Sequence, residues 1–184
     1  MTRITRHIGR LATSILGTCF LSGTVLVSDA YADSDVVPRQ FGHCMVGPAV
    51  TSDKIIVFCG ASETEPSMVI GTMIDNDSEQ KNLIPEITYF DVGIKNKEQI
   101  LHFDFGPYHQ VPGLVTKPPG AWFVNDGHLS RWPGVFQALM NTQTFSATGD
   151  SGTDTVDLTG FSQAFQYFTR EYKRIHNQPF PGWH

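Results

Sequence analysis

The chain has 184 residues with 13 basic and 18 acidic side chains, a formal net charge of −5 and 40% hydrophobic residues. This acidic balance argues against nucleic acid and against anionic lipid surfaces as partners, because both attract basic proteins. The length allows one domain with a sizeable hydrophobic core.

The first 32 residues have the pattern of a secretory signal peptide. Arginines lie at three positions between residues 3 and 10, residues 11–27 are apolar and uncharged, and Ala30-Tyr31-Ala32 supplies small residues before Asp33. A retained membrane anchor is the alternative, since the apolar segment is about as long as a short membrane span. We expect cleavage near Ala32, which leaves residues 33–184 as a single secreted or periplasmic β-rich domain without a transmembrane segment.

The two cysteines downstream of the leader, Cys44 and Cys59, predict a disulfide. Residues 44–47 and 54–59 are typical of strands, and the midpoint between the cysteines lies in the turn that joins them. The cysteines then face each other across an antiparallel hairpin, close enough to bridge in an oxidising compartment. Their spacing is far from C-x-x-C, and two ligands do not make a zinc site.

Strand-like patterns follow along most of the chain, separated by turn residues. Residues 33–40, before the hairpin, are polar and predict a loose N-terminal arm. Residues 106–120 carry four prolines and predict a long irregular connection. The predicted strands beyond the hairpin are residues 67–74, 83–92, 100–105, 121–124, 142–148 and 155–158. Since no helical pattern separates the early strands, the sheet is expected to be antiparallel.

The last third of the chain predicts a strand, a tight turn, a strand and an amphipathic helix. Phe161, Ala164, Phe165 and Phe168 have helical offsets of three, four and seven residues. This helix is expected to end near Lys173 or Ile175, before a Pro-rich C-terminal tail. The predicted fold class is therefore α+β and mainly β, an antiparallel β-sandwich-like domain closed by a C-terminal amphipathic helix.

One group of side chains has the chemistry of a metal site. His102 and Asp104 share a face of the predicted strand 100–105, and His109 can fold back from the following loop. Asp126 and His128 could add ligands from a neighbouring turn. Imidazole and carboxylate suit zinc or another first-row metal. The alternative is that His102 and Asp104 are only the solvent-facing side of an amphipathic strand.

A second group of side chains predicts a binding surface. Tyr108 and Trp132 lie in Pro/Gly-rich segments, where aromatic rings can form a carbohydrate- or peptide-binding platform or an interface hot spot. Trp122 lies inside Ala-Trp-Phe-Val and is expected in the core. The surface prediction therefore concerns Tyr108 and Trp132.

The C-terminal third resembles the invasion-associated locus B family of secreted bacterial proteins. The similar segments are Val124-Asn-Asp-Gly127, the short helical stretch up to Met140, the strand at Phe145, Val156-Asp-Leu-Thr-Gly-Phe-Ser-Gln-Ala-Phe165 and the early Phe41-Gly42 with Cys44. The chain lacks the tryptophan expected after Phe-Gly and the family's middle cysteine pair. The resemblance implies a non-enzymatic β-rich envelope protein with no catalytic residues to transfer.

The sequence thus favours a secreted or periplasmic, non-catalytic binding or interaction protein of the bacterial envelope, without a cofactor. Its expected partner is another envelope protein. An inhibitor, an immunity protein or a subunit of a larger envelope complex fits equally well. The alternative is a small metal-dependent hydrolase that uses His102, Asp104 and His109.

Overall fold

The computed structural model describes residues 36–49, 55–60, 66–74, 83–91, 94, 99–117, 120–123, 131–150 and 152–183. Within these ranges the strands are β1 (Arg39–Phe41), β2 (Cys44–Pro48), β3 (Ile55–Cys59), β4 (Ser67–Ile74), β5 (Leu83–Phe90), β6 (Ile100–Phe105), β7 (Tyr108–Lys117), β8 (Gly120–Phe123), β9 (Thr144–Gly149) and β10 (Gly152–Asp157). The helices are α1 (Trp132–Met140) and α2 (Phe161–His176). The predicted leader, residues 1–32, lies outside the described residues.

The strands pair in the order β1-β2-β3-β4-β5-β8-β7-β6-β9-β10, and every pairing is antiparallel. Helix α2 packs on the end of the sheet formed by β1, β2 and β3, and it also contacts α1. The prediction of a mainly β, α+β fold closed by a C-terminal helix is therefore confirmed. In this part of the chain, neither helix is long and apolar enough to cross a membrane.

The sheet curls strongly enough to enclose a core between its own strands. Four strand positions separate β5 from β9, which corresponds to about 19 Å in a flat sheet. Yet the ring of Tyr89 on β5 lies 6.3 Å from the ring of Phe145 on β9. The ring of Phe103 on β6 completes this contact, at 5.8 Å from Tyr89 and 5.0 Å from Phe145. The curled sheet thus has the sandwich-like form that the sequence predicts.

The hairpin of β2 and β3 has the predicted register. Cys44 lies directly opposite Cys59, with 4.1 Å between their Cα atoms, and a disulfide joins them. Both residues are fully buried. The position of the turn midway between the cysteines predicts this register, because the register of an antiparallel pair is fixed once one facing pair is known.

Helix α2 has the predicted apolar face. Phe161, Ala164, Phe165 and Phe168 are all buried, and Tyr172 extends the same face by one turn. The helix ends at His176, where Asn177 adopts a left-handed conformation with φ of 53°. Basic side chains occupy its last turn, where they interact favourably with the negative end of the helix dipole.

Both termini of the described chain pack more tightly than the sequence predicts. Val36 is buried, and Arg39 and Gln40 belong to β1, so the expectation of a loose arm is wrong for these residues. In the Pro-rich tail, Phe180 is fully buried against the rings of Phe168 and Tyr172. Single apolar residues in polar segments carry no periodicity, so this burial could not be predicted from the sequence.

The predicted irregular connection at residues 106–120 is also wrong, because most of it is strand β7. Of its four prolines, Pro107 lies in the turn before β7, and Pro118 and Pro119 lie outside the described residues. Only Pro112 is inside the strand, opposite His102 of β6. The pairing of β7 with β6 shifts register between Phe103 and Phe105, and its pairing with β8 shifts register between Leu114 and Lys117, so the ladder stays regular at Pro112 itself.

Candidate functional site

The outer surface of β6, β9 and β10 carries an array of polar side chains, which we call the polar face. Two rows of paired residues cross these three strands. One row consists of His102, Thr148 and Thr153, and the other consists of Asp104, Ser146 and Thr155. Leu101, Phe103 and Phe105 of β6 alternate with these residues and are buried in the core. The sequence prediction of a half-buried strand at residues 100–105 is therefore confirmed.

Hydrogen bonds between side chains order the polar face. The hydroxyl oxygens of Thr148 and Thr153 are 2.8 Å apart, and those of Ser146 and Thr155 are 3.2 Å apart. Each hydroxyl offers one donor and two acceptor positions, so every pair keeps hydrogen-bonding capacity for an incoming group. The face thus presents fixed donors and acceptors to solvent.

Asp104 stabilises the β6–β7 turn. Its Oδ1 accepts a hydrogen bond from the backbone N–H of Gln110 at 3.1 Å, and its Oδ2 accepts one from Gln110 Nε2 at 3.1 Å. His109 Nδ1 lies 3.2 Å from the same Oδ1. Gln110 has a left-handed backbone with φ of 54°, an unfavourable conformation for a residue other than glycine. The carboxylate therefore ties the end of β6 to a strained residue near the start of β7 and so holds the turn between them in place.

The structure brings together two of the three predicted metal-site residues. Asp104 and His109 are in contact, whereas the Nδ1 of His102 is buried without a hydrogen-bond partner. Within the described ranges, no group of three His, Cys, Asp or Glu side chains is arranged to hold a metal ion. Asp126 and His128 lie outside those ranges. The observed contacts thus give Asp104 a structural role, which is to stabilise the β6–β7 turn.

The two residues of the predicted aromatic surface lie in different environments. Trp132 begins α1 and is only 4% exposed, with its ring 5.2 Å from that of Phe136. The expectation that Trp132 forms a surface is wrong, because the fold buries the first turn of α1 in the aromatic core. Tyr108 is half-buried and stacks on Phe105 at 5.0 Å. Tyr108 also lines a shallow open groove beside Gly134 and Gln137 of α1.

A second polar cluster, which sequence reasoning missed, lies at the rim of the core between β5 and β10. Tyr89, Asp91 and Asp154 line one small cavity. Burial, followed by the charge of Asp91 and a hydrogen bond to its side chain, raises the pKa of the Asp154 carboxyl. Burial, followed by the charges of Asp91 and Asp154, raises the pKa of the Tyr89 hydroxyl, so this phenol stays protonated. The only sequence signal was the alternation of Asp154 with buried Val156.

Comparison with known proteins identifies a similar fold. No family model matches the chain, and no curated protein sequence is similar to it. Among solved structures, the chain is similar to the crystal structure of invasion associated protein B from Bartonella henselae. The TM-score is 0.52 at 10% sequence identity, and the similarity covers 75% of this chain and 99% of that one. At this identity the likeness concerns the fold alone.

Proposed function

We propose that this chain is an exported, non-catalytic binding protein of a bacterial envelope, and that its polar face contacts another envelope protein. The observation that carries the proposal is the ordered array of hydroxyl, carboxylate and imidazole groups on the outer surface of β6, β9 and β10. Helix α2 buries its apolar face in the core and is assigned a structural role.

The shape of the polar face favours a macromolecular partner. Small-molecule sites are usually concave and mostly apolar, so that they bury most of the ligand. The polar face is the outer surface of the curled sheet rather than a cavity, and its Thr153 and Thr155 are exposed. Such a surface suits a protein partner that offers many hydrogen-bonding groups over a wide area.

Export has support from two separate features. Residues 1–32 have the charge and hydropathy pattern of a signal peptide. Downstream, the buried Cys44–Cys59 disulfide is the type of bond that persists in oxidising compartments such as the periplasm. We therefore propose Asp33 as the mature N-terminus, with residues 33–184 as one domain in the periplasm or outside the cell.

The fold likeness supports an envelope role and a distant relationship to the invasion-associated locus B family. The solved structure with a similar fold is named as an invasion associated protein of a bacterium. The C-terminal motifs Val124-Asn-Asp-Gly127 and Val156 to Phe165 are similar to segments of that family. Common descent of the two chains would explain both observations.

Site-specific photocrosslinking in the native bacterium tests the proposed surface. A photoreactive amino acid at Thr153 should give a discrete crosslinked band with an envelope protein, because this side chain projects from the polar face. The matched control places the same amino acid at Gln163, an exposed position on α2. A band from Gln163 with none from Thr153 would show that the partner binds the helix.

Sequencing the N-terminus of the exported protein tests the compartment separately. The sequence Asp-Ser-Asp-Val-Val should begin the mature chain, because cleavage is expected after Ala32. Recovery of the protein with its leader intact in the membrane fraction would contradict cleavage and favour a retained anchor.

A further inference from the structure

Asp154 occupies an inward-facing position on β10, the last strand of the sheet. Val156, two residues further along, is buried and pairs with buried Phe145, while Asp154 pairs with buried Ala147. Because side chains alternate between the two faces of a strand, Asp154 points to the same side as Val156. A carboxylate at the rim of a core is costly unless nearby groups compensate for its lost hydration.

The unsatisfied hydroxyl of Tyr89 is a second, independent feature at the same place. It is only 2% exposed, and its hydroxyl has no hydrogen-bond partner. A buried hydroxyl without a partner costs about 1 to 3 kcal/mol. Tyr89 lines a cavity of about 10 Å³ together with Asp91 and Asp154, close to the smallest volume that holds one water. The cavity therefore has room for a single small ligand that would satisfy the hydroxyl.

The chemistry of the lining groups identifies the class of ligand. The polar side chains of the lining, two carboxylates and one phenol, supply only oxygen atoms, which hard cations such as Ca²⁺ and Mg²⁺ prefer. The apolar Ile94, Leu101 and Ala147 form the rest of the side-chain lining and supply no ligand. The charges of the carboxylates repel each other, and a cation between them removes that repulsion. The Tyr89 hydroxyl has no partner, so its oxygen keeps its lone pairs available for the cation. Gly149 and Gly152 also line the cavity, so no side chain from these positions fills it.

We propose that Asp91, Asp154 and Tyr89 form a binding site for one calcium ion at the rim of the core. Calcium fits better than magnesium, because calcium accepts irregular sets of ligands whereas magnesium demands a near-ideal octahedron. Water molecules on the solvent side of the half-buried Asp91 and Asp154 complete the coordination. The ion ties the end of β5 to β10 and so fixes the β9–β10 hairpin. This inference is independent of the binding function proposed for the polar face.

Calcium titration of the exported protein tests the site. After chelator treatment and dialysis, calorimetry with CaCl₂ should give one site with a dissociation constant of about 0.1 to 1 mM, the range of extracellular calcium modules. At 10 mM CaCl₂ the melting temperature should rise by about 3 to 10 °C. The reference sample contains NaCl at the same ionic strength, which separates specific binding from general screening.

Three variants locate the effect. Asp154→Asn keeps the shape of the side chain and should abolish both the calorimetric heat of calcium binding and the thermal shift. Tyr89→Phe should weaken calcium affinity several-fold. The control Asp157→Asn makes the same charge change at an exposed position of the same strand and should keep the full shift. No heat in the wild type, an equal shift with NaCl, or an unchanged response in Asp154→Asn would overturn the proposal.

Discussion

The two ends of the curled sheet are built from opposite chemistry. At one end, which we call the aromatic end, α1, α2 and the tail bring together the rings of Phe136, Phe165, Phe168, Tyr172 and Phe180. Phe136 lies 4.7 Å from Phe165, and all five residues are buried. At the other end, the β9–β10 hairpin carries threonines on its outer surface and Asp154 on its inner one.

This difference suggests that the aromatic end determines the stability of the fold and that the hairpin end determines the recognition of a partner. Large buried rings contribute most of their free energy through apolar area removed from water, and they leave little surface for a partner. The threonine hydroxyls at the sheet surface contribute little to folding but remain available to ligands. We therefore expect substitutions at the aromatic end to change stability and substitutions at the hairpin end to change binding.

The largest expected effect is the loss of a ring from the aromatic end. Phe165 is fully buried and contacts the rings of Phe136, Phe161 and Phe168. Phe165→Ala should lower the free energy of unfolding by about 3 to 5 kcal/mol, because it removes a buried ring and leaves a cavity in the core. Denaturant melts measure the loss.

The matched control for this substitution lies on the same helix. Gln163 is exposed, so Gln163→Ala should change the free energy of unfolding by no more than about 0.5 kcal/mol. If Phe165→Ala melted like the wild type while Gln163→Ala did not, the aromatic end would not be the centre of stability.

Reduction of the disulfide should have the next largest effect. The Cys44–Cys59 bond closes a loop with a sequence separation of 15 residues, which corresponds to about 3 kcal/mol of stability in the chain-entropy model. The Cys44→Ala/Cys59→Ala double variant should show a similar loss in the absence of reductant. Thiol titration of the unfolded, unreduced mature protein should find no free thiol; two free thiols would contradict the bond.

Removal of the Asp104 carboxylate should have an intermediate effect. Asp104→Ala leaves Gln110 without two hydrogen bonds and should cost about 1 to 2 kcal/mol. Amide hydrogen exchange should increase in the β6–β7 turn and remain slow in α2. His109→Ala is the control, because His109 is 73% exposed and should cost less than about 0.5 kcal/mol. Equal losses in the two variants would show that the ion pair, rather than the turn, matters.

The smallest expected effect is a pH-dependent one at the hairpin end. The folded state raises the pKa of Asp154, chiefly through burial, so its ionised form destabilises the folded protein. This cost is present above the raised pKa and disappears below the unfolded value of about 3.9. With chelator present, Asp154→Asn should exceed the wild type in stability at pH 7 by less than about 1 kcal/mol.

The same pair of proteins should have converging stabilities near pH 3, where both states of the wild type carry a protonated Asp154. Thermal melts across this range measure the difference. A difference that grows as the pH falls would have the wrong sign and would show that the ionised carboxyl stabilises the folded chain.

Local patterns predicted much of the fold, and long-range packing accounts for the rest. The offsets of Phe161, Phe165 and Phe168 predicted α2, and the spacing of Cys44 and Cys59 predicted their register. These features depend on residues that are close in sequence. The burial of Trp132 and Phe180 depends on contacts between α1, α2 and the tail, which no periodicity in a Pro-rich segment can show.

The candidate sites were harder to predict for the same reason. His102, Asp104 and His109 were visible because they lie close together in the sequence, yet the geometry gives Asp104 a structural role in the turn. Asp91 and Asp154 come together only because the sheet curls back on itself. Curvature of this kind arises from strand twist and packing summed over many strands, so no single segment encodes it.

A paired measurement of stability and binding tests the central claim most directly. Thr155→Lys, on the polar face, should melt like the wild type and lose affinity for the crosslinked envelope partner by tenfold or more, since a buried unpaired charge costs well over about 1.4 kcal/mol. Phe165→Leu, at the aromatic end, should melt at a lower temperature and keep its affinity below that temperature. The reverse result, with binding lost in Phe165→Leu and retained in Thr155→Lys, would contradict the separation of stability from recognition.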